Sequence, residues 1–468
     1  MTDTAALRLA RFCADVRFDD LPRELVERAK RHILDTLGAT LAGSAALEPR
    51  EAVGMLTAER SAGTAPVWGT AERLGSRDAA FANGVAAHAL ELDDTGGCDH
   101  SGAVVLPAAL AVLSAPGMSG GAAPPASGRD LITAVVLGYE VGRRVLEACG
   151  GYPPHNGAGW HSTATCGTFA AAAASSRLLR LDATHTAFAL GHAASASGGL
   201  WAFIHDASQT KRLHAGRAAE AGLTASLLAA RGISGPAQVF DDVWGGFFNA
   251  FAPQSRQPEA LLAELGSAWK LMRCSIKPYA SCRSTHATID AVLHLMASHP
   301  GLAQQVKHID VRLSSFVAGM CGGRDLSTLS SAQMSLPYAV ALAWVFNSAE
   351  LARYLAPARK DARLLAAMSL VRLHPDAAMP ALEEPTVTIT SADGQVVSHH
   401  VPVALGAPAN PLGDAQLRAK FDTLAGVALP RESANRLAGQ VMRLEELEDA
   451  RALLPLLAGQ AGLHELVR

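Results

Sequence analysis

Aromatic side chains make up only 5% of the 468 residues, and charged ones only 18%. Low charge beside an apolar fraction of 49% excludes a disordered chain, because enough surface can be buried to offset the entropy of ordering. Few large rings beside 42 glycines and many alanines imply helices whose backbones approach closely. A net charge of -3 provides no concentrated basic surface, so no nucleic-acid partner is expected, although cations can still gather in a cleft. Seven cysteines lie scattered (Cys13, Cys98, Cys149, Cys166, Cys274, Cys282, Cys321), and no CxxC occurs. Their odd number points to a reducing compartment rather than a disulfide framework. HExxH, GxGxxG after a strand and GxxxxGK[ST] are all missing, no GxSxG elbow between a strand and a helix is present, and SASGG (Ser195–Gly199) reads as a turn. Long apolar runs are missing too. Gly102–Met118 is broken by Pro107 and Pro116, is short for a bilayer, and reads as a buried helix. The opening MTDTAALRLARFC lacks a secretory pattern. These absences lead us to expect a cytoplasmic protein with no membrane contact and no nucleotide cofactor.

The length calls for two domains or three. Leu25, Ala29, Ile33, Leu37 and Leu41 form one helical stripe, with Pro22 at its start and Gly43 as its stop. Further helices are expected from about Ser76 to Leu90 and over Gly102–Val112, Thr163–Leu179, Thr184–Ala194 and Arg217–Arg231. Ala115–Gly128 reads as a flexible loop, with Asp130 capping the next helix. The alanine run Ala171–Ala174 requires close neighbours. After Trp269 the texture changes. Ile309–Phe316 alternates as a strand, and Asp393-Gly394 joins Val387–Thr390 to Val396–Val401 as a hairpin. Helices are expected over Ser331–Phe346, Ala362–Leu370, Ser433–Leu444 and Leu447–Leu457. The fold class is therefore mainly α. A large helical domain is formed from both chain ends (1–269 and 406–468), with a smaller α+β domain, 270–405, inserted.

Four segments hold polar residues beyond the needs of a core. HALELDDTGGCDHSG (His88–Gly102) gathers Asp93, Asp94, Thr95, Asp99 and His100, and its acids suit a solvated loop, a metal site or catalysis. In GYPPHNGAGWHSTATCG (Gly151–Gly167), His161 precedes a helix start able to bind a carboxylate. IHDASQTKRLHAG (Ile204–Gly216) sets Lys211 and Arg212 before a small-residue helix, between His205 and His214. RCSIKPYASCRSTHATID (Arg273–Asp290) carries Lys277, Tyr279, Cys282, Arg283 and His286. There a Cys282–His286 pair would share a face if both residues are helical, though no third group orients it. Cations and imidazoles around a dry cleft fit a substrate with two or three carboxylates. Proton abstraction beside a carboxylate needs such groups together with a base.

ILDTLGATLAG (Ile33–Gly43), NGVAAHALELDD (Asn83–Asp94), SGAVVLPAALA (Ser101–Ala111), GWHSTATCGTFAAAAA (Gly159–Ala174), TKRLHAGRAAEAG (Thr210–Gly222), IKPYASCRSTHATIDA (Ile276–Ala291) and GAPANPL (Gly406–Leu412) occur in this order. With them the chain resembles the MmgE/PrpD family, which includes 2-methylcitrate dehydratase, cis-aconitate decarboxylase and iminodisuccinate epimerase. The resemblance implies a homodimer with a metal-free cleft between domains. It also implies catalytic roles for His100, His161, Lys211, Lys277 and Asp93. Thr95, Tyr279, Arg283 and His286 are candidates for substrate contact. DDTGGCDHSG departs from the family pattern, since it is shorter and lacks a proline, so His100 or Asp99 can fill the usual histidine's place. The leading expectation is dehydration of a 2-methylcitrate-like acid without cofactor or metal. Epimerisation of a dicarboxylate, cis-aconitate-type decarboxylation and an inactive carboxylate-binding protein are alternatives.

Overall fold

The computed structural model describes residues 3–115, 125–206, 208–302 and 306–459. Of the loop expected over Ala115–Gly128, residues 116–124 lie outside the described residues.

The stripe beginning at Leu25 forms the helix Arg23–Gly43, with Pro22 as its N-cap residue. Its face Leu25, Ile33, Leu37 and Leu41 enters the larger of two main apolar cores. Ala39 and Ala42, on another face, belong to the second core. The C-terminal helices Asp414–Ala425 and Arg431–Met442 pack back onto Arg23–Gly43, so both chain ends build one helical body. Small residues set the spacing, as their abundance implied. A Cβ on Gly84 would lie 2.7 Å from Gly216 Cα, and one on Gly222 would lie 2.5 Å from Thr168 O. Backbones of the helices Ser76–His88, Thr210–Ala230 and Gly167–Leu178 therefore touch where larger side chains would hold them apart. Ala171–Ala174 is fully buried in this contact.

The smaller part is a four-stranded sheet ordered Val371–Asp376, Val306–Ser314, Thr386–Ser391, Val396–His400. The first two strands run parallel and the other neighbours antiparallel. Ile309, Val311, Leu313, Val387 and Ile389 alternate onto the buried face, where the helices His286–Ser298 and Leu336–Phe346 cover the sheet. The fold is mainly α with an inserted α+β part. No helix among the described residues is long and apolar enough to cross a membrane.

Several boundaries differ from expectation. Ser127 caps the helix Gly128–Ala148, and Asp130 closes its capping box. The expected helix Thr163–Leu179 divides into Ser162–Thr165 and Gly167–Leu178, while Ser331–Phe346 breaks between Leu329–Gln333 and Leu336–Phe346. Leu447–Leu457 is largely a 3-10 turn over Ala450–Leu457, with Pro455 inside. The helix expected from Arg217 starts at Thr210, so Lys211 and Arg212 lie in its first turn rather than before it.

Candidate active site

Helix Ser76–His88 delivers the chain into a tight loop, where Glu91 takes φ 53°, Gly96 99° and Asp99 96°. Non-glycine residues in this region cost conformational energy and are held by their contacts. Glu91 is held by two ammonium groups. Lys211 reaches Glu91 Oε1, and Lys277 Nζ donates to Glu91 Oε2 at 3.1 Å and to Glu91 O at 3.2 Å. The Gly84–Gly216 contact brings the Lys211 helix this close. The two lysines are only 3% and 1% exposed, so neither is a solvated surface charge. Burial alone would raise the Glu91 carboxyl, but Lys211 and Lys277 hold it well below the usual range. Burial opposes the charge on Lys277, yet Glu91 and Asp93 raise its pKa. Arg212 is a structural tie, donating to Ala89 O at 2.7 Å, Glu48 Oε1 at 2.6 Å and Gln333 Oε1 at 3.0 Å.

Asp93 Oδ2 lies 3.0 Å from Nδ1 of both His88 and His100. Asp99 Oδ2 lies 3.4 Å from His100 Nε2, and its other oxygen accepts from Thr95 Oγ1 at 2.8 Å. Burial disfavours a charged His100, but Asp99 and Asp93 outweigh it and raise its pKa. Asp94 serves the fold. It accepts from Tyr139 Oη at 2.6 Å and Gly102 N at 2.9 Å, and sits 3.0 Å from His32 Nδ1.

His161 occupies the N-cap position of the short helix Ser162–Thr165, as its place in the sequence suggested, but its side chain makes no capping bond. At that helix start Asn156 Oδ1 already accepts from Ser162 N at 3.3 Å. His161 Nδ1 is 2.9 Å from His214 Nδ1, while its Nε2 is buried without a partner. Burial, then His214 and Lys211, push the His161 pKa well down and leave the ring neutral.

Glu91, Thr95, Asp99, His100, Lys211, Lys277 and Arg283 line one cavity of about 330 Å³. Asp93 and His161 stand behind this wall. Tyr279 and His286 are not on it either. Tyr279 Oη donates to Asp290 Oδ1 at 2.6 Å, and buried His286 points Nε2 at Ser281 O, 3.2 Å away. Cys282 precedes the 3-10 turn Arg283–Thr285, whereas His286 begins the following helix, so the two do not share a helix face. Instead the neighbouring Cys321 thiol draws the Cys282 thiol below its ordinary value against the opposing effect of burial. One imidazole nitrogen from each of His88, His100 and His161 lies within 4.8 Å of the others, a donor set able to close on an ion.

Glu91 and His88 were given no role from the sequence, and His214 was named there only as a neighbour of Lys211 and Arg212. An acid between Leu90 and Leu92, both buried, was the available signal for Glu91.

Residues 7–259 match the MmgE/PrpD N-terminal domain, and residues 279–446 match the C-terminal domain. A cis-aconitate decarboxylase-like protein of Aspergillus oryzae is 30% identical, with 97% of each chain covered. Cis-aconitate decarboxylase of Aspergillus terreus is 30% identical over 96% of this chain and 95% of its own. The Homo sapiens cis-aconitate decarboxylase is 30% identical over 94% and 91%. With both domains matched in order, the chain belongs to the MmgE/PrpD family.

Proposed function

We propose that the protein is a cofactor-independent decarboxylase of a small unsaturated tricarboxylate, of the cis-aconitate type. The observation that carries this reading is the state of the cavity wall. Among the described residues His100 is its one imidazole, and Asp93, 3.0 Å from its Nδ1, and Asp99, 3.4 Å from its Nε2, favour its charged form against burial. A charged imidazole is an acid, and replacing carbon dioxide by hydrogen requires an acid. Neutral His161, the better base, stands behind the wall. Dehydration by proton abstraction, the leading expectation from sequence, needs a free base on the wall, and it fits less well because the carboxylates there are engaged, Glu91 by Lys211 and Lys277 and Asp99 by Thr95 and His100. The full-length likeness to cis-aconitate decarboxylases favours the same choice.

In the proposed reaction the bond between the methylene carbon and its carboxylate breaks, and carbon dioxide leaves. The released electron pair forms a new double bond to the central carbon. The old alkene pair then takes a proton from His100 at the far carbon, giving a methylene dicarboxylate. Lys211 and Lys277 share the single negative charge of Glu91, so one positive charge is left for a substrate carboxylate. They stabilise the negative charge that spreads onto the carboxylate beside the protonated carbon. Asp93 orients His100, and Thr95 positions Asp99. Purified protein with cis-aconitate should release carbon dioxide and yield methylenesuccinate by proton NMR. Water loss from 2-methylcitrate without carbon dioxide would refute this assignment, and tight binding without any turnover would favour an inactive carboxylate-binding protein.

A further inference from the structure

The cavity has a second cationic pole that the chemistry above does not use. Arg143, from helix Gly128–Ala148, and Arg273, closing the turn Lys270–Arg273, both line it. They converge on one acid. Glu147 Oε1 accepts from Arg143 Nε at 2.9 Å and from Arg273 Nη1 at 2.9 Å, and Lys270 Nζ lies 2.8 Å from Glu147 Oε2. Three cations against one carboxylate leave positive charge uncompensated. Among the described residues, Nη2 of Arg143 and Nε and Nη2 of Arg273 find no protein acceptor.

The two poles lie at different depths. The side chains of Lys277 and Lys211 are 0% and 4% exposed, Arg143 is 11% and Arg273 51% exposed, which grades from the interior to the mouth. The short loop after Asp94 links them. Thr95 N donates to Ser275 O at 3.1 Å and Ser275 N to Thr95 O at 2.8 Å, which fastens the loop to the segment carrying both Arg273 and Lys277. Gly96 then passes so close to that segment that a Cβ on it would lie 2.9 Å from Arg273 O, and Arg143 Nη1 approaches Gly97 O at 3.4 Å. The glycines place no side chain between the guanidinium groups and the cavity.

We propose that Arg143 and Arg273 form a carboxylate subsite at the mouth of the cavity, which selects a tricarboxylate over a dicarboxylate. The planar guanidinium forks receive one carboxylate at the mouth, while the lysines and His100 on the deeper wall hold the other two, which are all that a dicarboxylate has. The inference rests on reading the cavity as a polycarboxylate site, and its test reads binding rather than turnover. Calorimetric titration would compare propane-1,2,3-tricarboxylate with pentanedioate, two saturated and unreactive ligands. Arg273→Gln, at a half-exposed position where folding is tolerant, should weaken the tricarboxylate about tenfold or more and leave pentanedioate within about twofold. Glu147→Gln, which frees both guanidinium groups, should tighten the tricarboxylate. Equal weakening of both ligands in Arg273→Gln, or none, would overturn the subsite. Failure of the wild-type protein to bind either ligand would instead overturn the polycarboxylate reading of the whole cavity.

Discussion

Replacing Glu91 by glutamine removes the carboxylate between two buried ammonium groups while nearly preserving shape. The ammonium nitrogens sit on opposite oxygens of that carboxylate, on the order of 6 Å apart. At an effective dielectric constant of about 20 they would then repel by about 3 kcal/mol. Breaking a buried ion pair by deleting one partner costs about 3–5 kcal/mol, in the same range. Glu91→Gln should therefore unfold at clearly lower denaturant and temperature than the wild type, by a stability difference of that size. A bound polycarboxylate restores a negative charge beside the lysines, so saturating propane-1,2,3-tricarboxylate should stabilise the variant more than the wild type. Unfolding curves with and without ligand measure both effects. An unchanged midpoint, together with equal stabilisation by ligand, would refute the claim that one carboxylate balances the two lysines.

Asp99→Asn removes the largest influence raising the His100 pKa. Activity that needs charged His100 is lost as pH rises through that pKa, so the alkaline limb of the kcat/KM profile should move to lower pH. His88, His161, His214 and His286 are held neutral in the fold mainly by burial, with His214 down at about 4. A depressed histidine pKa means the unfolded chain binds the extra proton, so stability should fall as pH drops below the unfolded value of about 6.5, by about 1.4 kcal/mol per pH unit for each such ring. Denaturant midpoints between pH 5 and 8 would show it, and a flat profile would contradict it. Cys282→Ser should keep kcat within about threefold, since proton delivery needs no thiol nucleophile; loss of turnover with intact folding would contradict the acid mechanism. Exhaustive chelation should leave carbon dioxide release unchanged, and metal-dependent recovery of lost activity would instead assign an ion to the three-histidine group.

Patterns confined to a few neighbouring residues were legible in the sequence. Asp393-Gly394 specified its hairpin through turn chemistry, and His161 stood directly before its helix. Apolar alternation at Ile309, Val311 and Leu313 found the buried face of the sheet. Features that depend on distant partners were not legible. Glu91 looks like the tail of a helix, and its role comes from lysines 120 and 186 residues away. Arg143 looks like one more surface charge beside Val141 and Val145, and becomes a cavity residue only because Gly96 and Gly97 leave it uncovered. The departure DDTGGCDHSG was visible, but its effect was not. Asp99 takes a left-handed conformation so that its carboxylate faces His100, and residue spacing does not reveal this.

Delivery of a proton by His100 to a carbon inside the lysine-lined cavity can be followed directly by running cis-aconitate in deuterium oxide and locating the label by NMR. A single deuterium in the methylene group beside a carboxylate of the product, equal in amount to the carbon dioxide released, is the expected result. Deuterium entering recovered substrate without loss of carbon dioxide would contradict it.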